Sequence, residues 1–401
     1  MKTHHAWVLV IAVGLAVCCA LPPPVGGVMR WHDPRLDTPT GDRGPATDAI
    51  LLSLTGIAVG PDGTLYLVDR WRQQVRKVDA WGTLRLVAGD GWFSFAYRFP
   101  DGRSAGNGGP AIKASLNGPT DVAVGDDGSI YIIEEGSNLI RRVDRAGIIT
   151  TAAGILFDPH RPWLNMESGK VGYYWYIDNI ALGSDGSIYV TDQYHESARV
   201  RRASPEGIIT TVVGGCVPCV DCDCYPVLIR ARGYWLGLAV GSDGALYVTE
   251  SGGSRVFRVA SDRSVTIVAG DGWQDLFQTG RFAGDGGPAT EASLYEPRRL
   301  AMGPDGSLYI SDVGNRRVRK VDPKGIITTV AGNGKLGHWG DGGPATRASI
   351  GWPGALAVGP DGSLYIGTAS AGSKYVRKVD PRGIITTVAG TGWLGRLDGW
   401  W

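Results

Sequence analysis

One sequence unit recurs six times between about residue 41 and residue 390, and this repetition restricts the fold more than any other feature of the chain. A clear copy is GSLYISDVGNRRVRKVDPKGIITTVAG, residues 306–332. Each copy follows the aspartate of an Asp-Gly pair, which lies at position 62, 127, 185, 243, 305 or 361. The intervals between these aspartates are 65, 58, 58, 62 and 56 residues, a spacing regular enough to indicate a repeat architecture.

Each copy contains four short segments typical of β-strands, which in the fifth copy are residues 300–302, 307–310, 317–321 and 326–332. Asp-Gly supplies the positive φ of a tight hairpin turn, and no segment keeps a long 3.6-residue period. We therefore predict an all-β fold, a six-bladed β-propeller of four-stranded blades closed by side-by-side packing of blades 6 and 1. An open solenoid is the alternative, but β-solenoid coils are shorter and lack the two hairpin turns.

Three segments of the repeat, DGSLY, DVGNRRVRKVD and ITTVAG, resemble NHL repeats. The link GDGGPATEASL, residues 284–294, resembles the NHL propeller of teneurins and related bacterial surface proteins. The resemblance covers nearly all of the chain after residue 41 and implies the NHL type of propeller. NHL propellers bind proteins, RNA or ligands, and a few relatives are metal-dependent lyases or lactonases, so the resemblance implies a fold more than a function.

The first residues have the layout of a secretory signal peptide. Lys2 precedes an apolar run over residues 6–17, and Cys18 and Ala20 occupy the −3 and −1 positions of a cleavage site. We expect a signal peptide over residues 1–20, an N-terminal segment over 21–40, the propeller over 41–393 and a tail over 394–401. The protein would then be secreted or held in the cell envelope. It would contact a membrane only if the N-terminal segment stays as an uncleaved anchor or is lipidated.

The charge balance argues against a nucleic-acid partner, because 40 basic and 39 acidic residues give a net charge of +1. No nucleophile motif of the Gly-x-Ser-x-Gly type is present, so we assign no catalytic residue. After the signal peptide the histidines are His32, His160, His195 and His338, and none of them forms a metal-binding pair in sequence. We expect no cofactor and no metal.

Charged residues recur at two places in the repeat. The acidic residue that ends the second strand is expected to satisfy backbone N–H groups of the following loop; it is Asp69, Glu134, Asp192, Glu250 or Asp312. The third strand is expected to place valine inward and a basic pair on a solvated face, rather than in a polyanion site. These pairs are Arg76-Lys77, Arg141-Arg142, Arg201-Arg202, Arg319-Lys320 and Arg377-Lys378.

The first strands of a propeller line its central channel. Aligning the copies predicts a ring with one residue from each blade, namely Gly56, Asp121, Asn179, Gly237, Arg299 and Ala355. Its polar members, Asp121, Asn179 and Arg299, are candidate ligand-binding residues. The ring offers one carboxylate and no histidine, fewer ligands than a propeller metalloenzyme needs. A Ca²⁺ or Zn²⁺ near Asp121 and Asn179 would instead indicate a metal-dependent hydrolase or lyase.

Two links between blades, residues 155–178 and 215–236, depart from the common pattern and follow one another along the chain. Their aromatic residues do not recur in other blades, which makes them candidates for binding rather than for blade architecture. They are Trp163, Tyr173, Tyr174, Trp175, Tyr176, Tyr225, Tyr234 and Trp235. The second interpretation is that these rings only pack the two links against each other. The first predicts a non-enzymatic binding or scaffold propeller with a protein or glycan ligand; RNA binding fits the balanced charge less well.

The second of these links carries four cysteines in nine residues, Cys216, Cys219, Cys222 and Cys224. Outside the cytosol such thiols oxidise, and we expect two disulfides. A bond between Cys222 and Cys224 would be strained, which leaves 216–224 with 219–222 or 216–222 with 219–224. A zinc site and free thiols are the alternatives.

Overall fold

The computed structural model describes residues 42–91, 104–154, 175–194, 197–214, 237–273, 281–368 and 374–391. Within these ranges the chain forms strands and short 3-10 turns, and none of its helices is long and apolar enough to cross a membrane. Every strand belongs to one of six sheets.

The first three sheets follow one another along the chain. Blade 1 consists of β1 (Leu54–Val59), β2 (Leu65–Asp69), β3 (Gln74–Val78) and β4 (Leu84–Ala88). Blade 2 consists of β5 (Gly109–Pro110), β6 (Pro119–Val124), β7 (Ile130–Glu134), β8 (Leu139–Val143) and β9 (Ile148–Gly154). Blade 3 consists of β10 (Trp175–Leu182), β11 (Ile188–Tyr194), β12 (Ser197–Ala203) and β13 (Ile209–Gly214).

The remaining three sheets have the same plan. Blade 4 consists of β14 (Leu238–Val240), β15 (Leu246–Glu250), β16 (Arg255–Val259) and β17 (Val265–Ala269). Blade 5 consists of β18 (Pro297–Met302), β19 (Leu308–Asp312), β20 (Arg317–Val321) and β21 (Ile327–Ala331). Blade 6 consists of β22 (Pro353–Val358), β23 (Leu364–Thr368), β24 (Val376–Val379) and β25 (Ile385–Ala389).

Each blade contains an antiparallel four-stranded meander, and in blade 2 the two-residue strand β5 pairs with the outer strand β9. The innermost strand of each blade lies beside those of the two neighbouring blades, from β1 through β6, β10, β14, β18 and β22 back to β1. This arrangement confirms the six-bladed β-propeller. The Asp-Gly turns have the predicted role: Gly63 has φ of +81°, and the Asp62 carboxylate accepts a 3.0 Å hydrogen bond from the Thr64 N–H. Short 3-10 turns occur at Ala46–Asp48, Arg70–Arg72, Ala111–Lys113, Ser251–Gly253, Ala289–Glu291 and Ala345–Arg347.

The hydrophobic core is divided into six clusters, one at each junction between neighbouring blades. At the junction of blades 1 and 2, Val68 and Ile132 pack together with Ala111, Ala114 and Leu116 of the link between them. Because both faces of a blade are covered by its neighbours, stability is distributed around the ring rather than concentrated at one centre.

The link that precedes blade 1 also closes the ring. Between blades 1 and 2 the N–H of Gly89 donates to the Ala111 carbonyl at 3.0 Å. At the junction of blades 6 and 1 the N–H of Gly390 donates to the Ala46 carbonyl at 2.9 Å, and Thr391 donates to Ala49 at 3.0 Å. No described sheet mixes strands from two blades, so closure is side by side, as the sequence predicts.

The prediction that the third-strand basic pairs form a solvated face is wrong for the first member of four pairs. Arg76, Arg141, Arg319 and Arg377 are fully buried. Strand pairing in these blades shifts register at the arginine, for example between Val318 and Arg319. The link that enters the blade covers the arginine, as Ala283 and Ser293 do for Arg319. The second members remain half-exposed and pair with the Asp-Gly turn, as Lys320 does with Asp305 at 2.8 Å.

Each buried arginine fixes the glycine-rich link that enters its own blade. Arg319 donates to the Asp285 carboxylate at 2.8 Å, and Arg141 donates to the side-chain amide oxygen of Asn107 at 2.9 Å. Arg377 binds Asp341 of the corresponding link, and Arg76 lies 3.7 Å from Asp42. The links therefore act as fixed structural turns.

Blades 3 and 4 are entered by the two divergent links, and they also lack the buried arginine. Arg201 in blade 3 is 24% exposed, and blade 4 has the half-buried Phe257 at this register position. The glycine-rich link and the buried arginine thus occur together or not at all.

Two of the acidic residues at the ends of the second strands bind backbone N–H groups, but these groups belong to the segment before the first strand and not, as predicted, to the following loop. Asp69 accepts from the N–H groups of Leu52 and Ser53, and Asp312 accepts from Tyr295, all of which precede the first strand of the same blade. Asp69 and Asp312 therefore hold the entrances of the innermost strands of blades 1 and 5 in place.

Candidate ligand-binding site at the channel mouth

Arg299, on β18, extends across the central channel. Its guanidinium lies 3.2 Å from the Asp121 carboxylate on β6 and 3.1 Å from the Asp178 carboxylate on β10. It also donates to the side-chain oxygen of Asn179. The structure thus brings together all three polar residues of the predicted ring and adds Asp178, which the alignment does not place there.

The same guanidinium donates to backbone carbonyls of two further blades. Its Nη2 donates to the Thr55 carbonyl of blade 1 at 3.3 Å, and its Nε donates to the Gly354 carbonyl of blade 6 at 3.2 Å. One side chain therefore connects blades 1, 2, 3, 5 and 6 across the axis. Because its donors are taken up by these groups, Arg299 acts as a cross-brace of the ring.

The two glycines of the ring permit close approach of the innermost strands. A Cβ at Gly56 would lie 2.7 Å from the Cα of Asp121, and a Cβ at Gly237 would lie 2.9 Å from the carbonyl carbon of Arg298. Side chains at these positions would force neighbouring blades apart and displace Asp121 and Arg299 from each other.

Burial raises the pKa of Asp121 to about 7, an effect that Arg299 opposes and Asp178 reinforces. For Arg299, burial disfavours the charged form, but Asp178 and Asp121 outweigh it and raise its pKa. The guanidinium therefore stays charged, while Asp121 exchanges its proton near neutral pH.

Among the described residues, no three His, Cys, Asp or Glu side chains are placed to hold a metal ion together. The two channel carboxylates that could take part in such a site, Asp121 and Asp178, face the cation of Arg299 instead. A metal there would have to displace a buried ion pair, and doing so would leave the guanidinium unpaired in a desolvated position.

A recess of about 620 Å³ opens at the channel mouth, on the face where the first strands begin. Arg299, Asp178, Thr55 and Gly354 contribute to its lining beside the cross-brace. The other lining residues come from strand entrances and from loops between second and third strands: Leu54, Arg70, Thr120, Tyr295, Glu296, Arg298, Val313, Gly314, Arg316 and Trp352. The volume lies within the roughly 300–1,000 Å³ typical of small-ligand sites.

The aromatic candidates of the two divergent links fall largely outside the described residues. This applies to Trp163, Tyr173, Tyr174, Tyr225, Tyr234 and Trp235, and to Cys216, Cys219, Cys222 and Cys224. Trp175 and Tyr176 lie on β10, where they pair with Tyr194 and Gln193, and their side chains are not described. Their roles stay predictions.

Sequence reasoning missed the walls of the recess, above all Tyr295, Glu296, Arg316 and Trp352. The sequence does contain a signal for these residues. The segment YEPRR (295–299) of blade 5 differs from the equivalent segment NGPTD (117–121) of blade 2, so its residues, like the aromatics of the divergent links, do not recur between blades. The predicted ring includes one position from each first strand and leaves out the residues that precede the strand.

Comparison with known proteins places this propeller in a family. The sequence model of the family described as Teneurin NHL domain matches residues 97–160 and 176–339, more than half of the chain. The protein is a six-bladed propeller with a ligand-sized recess at its channel mouth, and it belongs to the teneurin NHL domain family.

Individual relatives agree with this assignment. The chain is 32% identical to mouse Teneurin-3 over 257 residues, which are 59% of this chain and 9% of the relative. It is 32% identical to chicken Teneurin-1 over 300 residues, which are 66% of this chain and 10% of the relative. The matched region thus spans about a tenth of the length of these relatives.

A solved structure shows the same fold at low sequence identity. It is a structural genomics protein of unknown function from Bacteroides thetaiotaomicron, with a TM-score of 0.58 and 19% identity. The alignment covers 84% of this chain and 72% of the other. This likeness concerns the fold alone.

Proposed function

We propose that the protein is an exported, non-enzymatic binding propeller that presents the face around the channel mouth to a protein or glycan ligand. One observation carries the proposal: the channel carboxylates are taken up by Arg299, while an open recess with aromatic and charged walls lies at the same mouth. Carboxylates that are paired with Arg299 are not available for bond cleavage, whereas a recess open to solvent can still take up a ligand.

Variation between blades points to the same face. The opposite face carries the Asp-Gly turns, where the same carboxylate-to-N–H hydrogen bond recurs, as in Asp62, Asp185 and Asp305. The recess face carries strand entrances and loops that differ from blade to blade, and variable loops on a rigid scaffold usually supply binding specificity.

The proposal includes the expected domain plan and location. Residues 1–20 are removed as a signal peptide, 21–40 form an N-terminal segment, 41–393 form the propeller and 394–401 form a tail. Support comes from the apolar run over residues 6–17 and the small residue Ala20 before the cleavage point.

In the oxidising environment outside the cytosol, Cys216, Cys219, Cys222 and Cys224 form two disulfides that stiffen the link over 215–236. The aromatic residues of both divergent links add to the ligand-contacting surface.

An array of glycans and extracellular protein domains, probed with the purified propeller, tests this function. The affinity of the captured ligand for the protein is then compared with its affinity for the variants Trp352→Ala and Trp175→Ala, with Trp81→Ala as the matched control. Trp81 lies in the turn between β3 and β4 on the opposite face and is 86% exposed. We expect the recess-face variants to lose binding and the control to keep it. A ligand captured through the Trp81 face would overturn the choice of face.

A metal-dependent hydrolase or lyase is the second candidate, and the near-neutral pKa of Asp121 is the observation in its favour, since a general acid or base works best with a pKa near the working pH. Elemental analysis after removal of loosely bound ions separates the two functions. One tightly held Ca²⁺ or Zn²⁺ per chain, lost in Asp121→Asn, would support the enzyme.

A further inference from the structure

Half of the described residues that line the recess belong to blade 5. Tyr295, Glu296 and Arg298 come from the entrance of β18, and Val313, Gly314 and Arg316 come from the loop before β20. Blade 5 therefore determines much of the chemistry of the described walls.

The backbone of Glu296 is in a conformation that its side chain disfavours. Its φ is +49°, whereas the corresponding position of blade 2 is Gly118, with φ of +61°. A left-handed conformation of a non-glycine residue is energetically unfavourable, and such residues are enriched at functional sites. Here the strain holds a carboxylate at the rim, 3.2 Å from Arg298.

Arg316 occupies a loop position that has a structural role in blade 1. There the side-chain oxygen of Gln73 accepts a 2.6 Å hydrogen bond from the N–H of Gly118 in the next blade. A guanidinium has no acceptor, so Arg316 cannot make this contact, and its Nη1 donates instead to the Gly334 carbonyl at 3.2 Å. By the same register, the entrance of blade 6 with Trp352 is the neighbour of Arg316.

Arg316 also differs from the other arginines of the recess in its charge environment. Arg70 is paired with Glu135, Arg298 with Glu296, and Arg299 with Asp121 and Asp178. Within the described part of the chain, Arg316 has only carbonyl contacts, and its Nε is buried with no hydrogen-bond partner. One cation of the recess is thus left for an anion from outside.

We propose that this recess binds a sugar that carries a carboxylate, with the carboxylate paired to Arg316 and the ring against Trp352. This inference deepens the proposed function and depends on it. A guanidinium suits a carboxylate because two parallel N–H groups match its two oxygens. Trp352 is 39% exposed at the recess, which leaves an indole face for the C–H face of a pyranose.

A sugar fits the remaining groups better than an acidic peptide does. Sugar hydroxyls both donate and accept, and the walls offer the carboxylates of Asp178 and Glu296 as acceptors beside arginine donors. An acidic peptide would bring further anions against these two carboxylates. The recess volume of about 620 Å³ also admits one or two sugar rings, whereas a peptide interface usually spreads over a flatter surface.

Isothermal titration with three probes tests the proposal: an oligosaccharide ending in glucuronic acid, the same oligosaccharide ending in glucose, and a peptide of five glutamates. We expect the acidic oligosaccharide to bind at least ten-fold more tightly than the neutral one. In Arg316→Gln this preference should disappear, because the variant lacks the positive charge, while glutamine is compatible with the fold at the corresponding position 73. Trp352→Ala should weaken both sugars.

Matched controls are Arg382→Gln and Trp81→Ala, which alter an 83%-exposed arginine and an exposed tryptophan in turns of the opposite face and should change nothing. Equal affinity for the acidic and the neutral sugar, or a preference that survives in Arg316→Gln, would refute the inference. Tighter binding of the glutamate peptide would also refute it while leaving the proposed binding function intact. Failure of the recess-face variants to affect any captured ligand would overturn the assignment of binding to this face, and absence of any captured ligand would overturn the proposed function itself.

Discussion

Replacing Arg319 with methionine tests whether the buried arginines hold the propeller links. Arg319 is fully buried on β20, and its donors reach the Asp285 carboxylate at 2.8 Å and the Ala283 carbonyl at 3.3 Å. It also lies 3.5 Å from the carboxylate of Asp312, which is itself fully buried. Methionine replaces the apolar stem of the arginine but carries no charge and donates no hydrogen bonds, so the variant leaves Asp312 without its cation.

The size of the effect follows from this geometry. Removing one member of a buried ion pair costs about 3–5 kcal/mol, because the other charge stays desolvated. With an unfolding entropy of about 2.1 cal/mol/K per residue, the propeller over residues 42–391 has about 0.7 kcal/mol/K in total. We therefore expect Tm to fall by about 4–7 °C.

Calorimetry of the full chain at pH 7 measures this change, with Lys320→Met as the matched control. Lys320 is the next residue on the same strand, but its partner Asp305 is 51% exposed. An exposed ion pair contributes up to about 1 kcal/mol, so the control should lose at most about 1.5 °C.

Two further measurements separate loss of the ion pair from loss of packing. Burial raises the pKa of Asp312 to about 6, and Arg319 opposes this increase, so Asp312 should titrate still higher in Arg319→Met. The destabilisation should therefore be smaller at pH 5 than at pH 8, and adding Asp312→Asn should restore part of the lost stability. A Tm change in Arg319→Met no larger than in Lys320→Met would refute the proposed role of the buried arginines in holding the links.

The remaining predictions concern the channel, the cysteines and the tail. Because folding raises the pKa of Asp121 from 3.8 to about 7, the folded state binds more protons than the unfolded state between these values, so this residue lowers the unfolding free energy as pH rises through that window. The total is about 4 kcal/mol, and Asp121→Asn should flatten the decline of Tm between pH 4.5 and 8; an unchanged slope would contradict the raised pKa. Thiol titration of unfolded, unreduced protein should find none of the four link cysteines free, and thiols released by a chelator would indicate zinc instead. Removing residues 394–401 should lower Tm if the tail covers the junction of blades 6 and 1, and an unchanged Tm would mean that it does not.

The repeat architecture could be predicted because its signals are local. Each Asp-Gly turn has its donor and acceptor within two residues, as in Asp62 and Thr64, and each hairpin pairs strands that are adjacent in sequence. Short-range signals of this kind, repeated six times, are enough to indicate the blades and the ring that they form.

The alignment of first strands also identified three residues that meet in the channel. Asp121, Asn179 and Arg299 occupy equivalent positions in different blades, so rotation about the axis brings them together. The equivalence of these positions between blades could not show that other blades engage the hydrogen-bond donors of Arg299. That depends on how far its side chain reaches across the axis.

The sequence by itself therefore determined the number of blades, their strand order and the polar members of the ring, because each is encoded within one repeat or by equivalence between repeats. Only the tertiary structure decided that Arg319 is buried rather than solvated, since alternation along β20 does not reveal that the glycine-rich link covers its side chain. It also decided that Arg316 lies in a recess, because the walls come from segments as distant as Leu54 and Trp352. Burial and charge pairing depend on which surfaces meet after ring closure, and no single repeat contains that information.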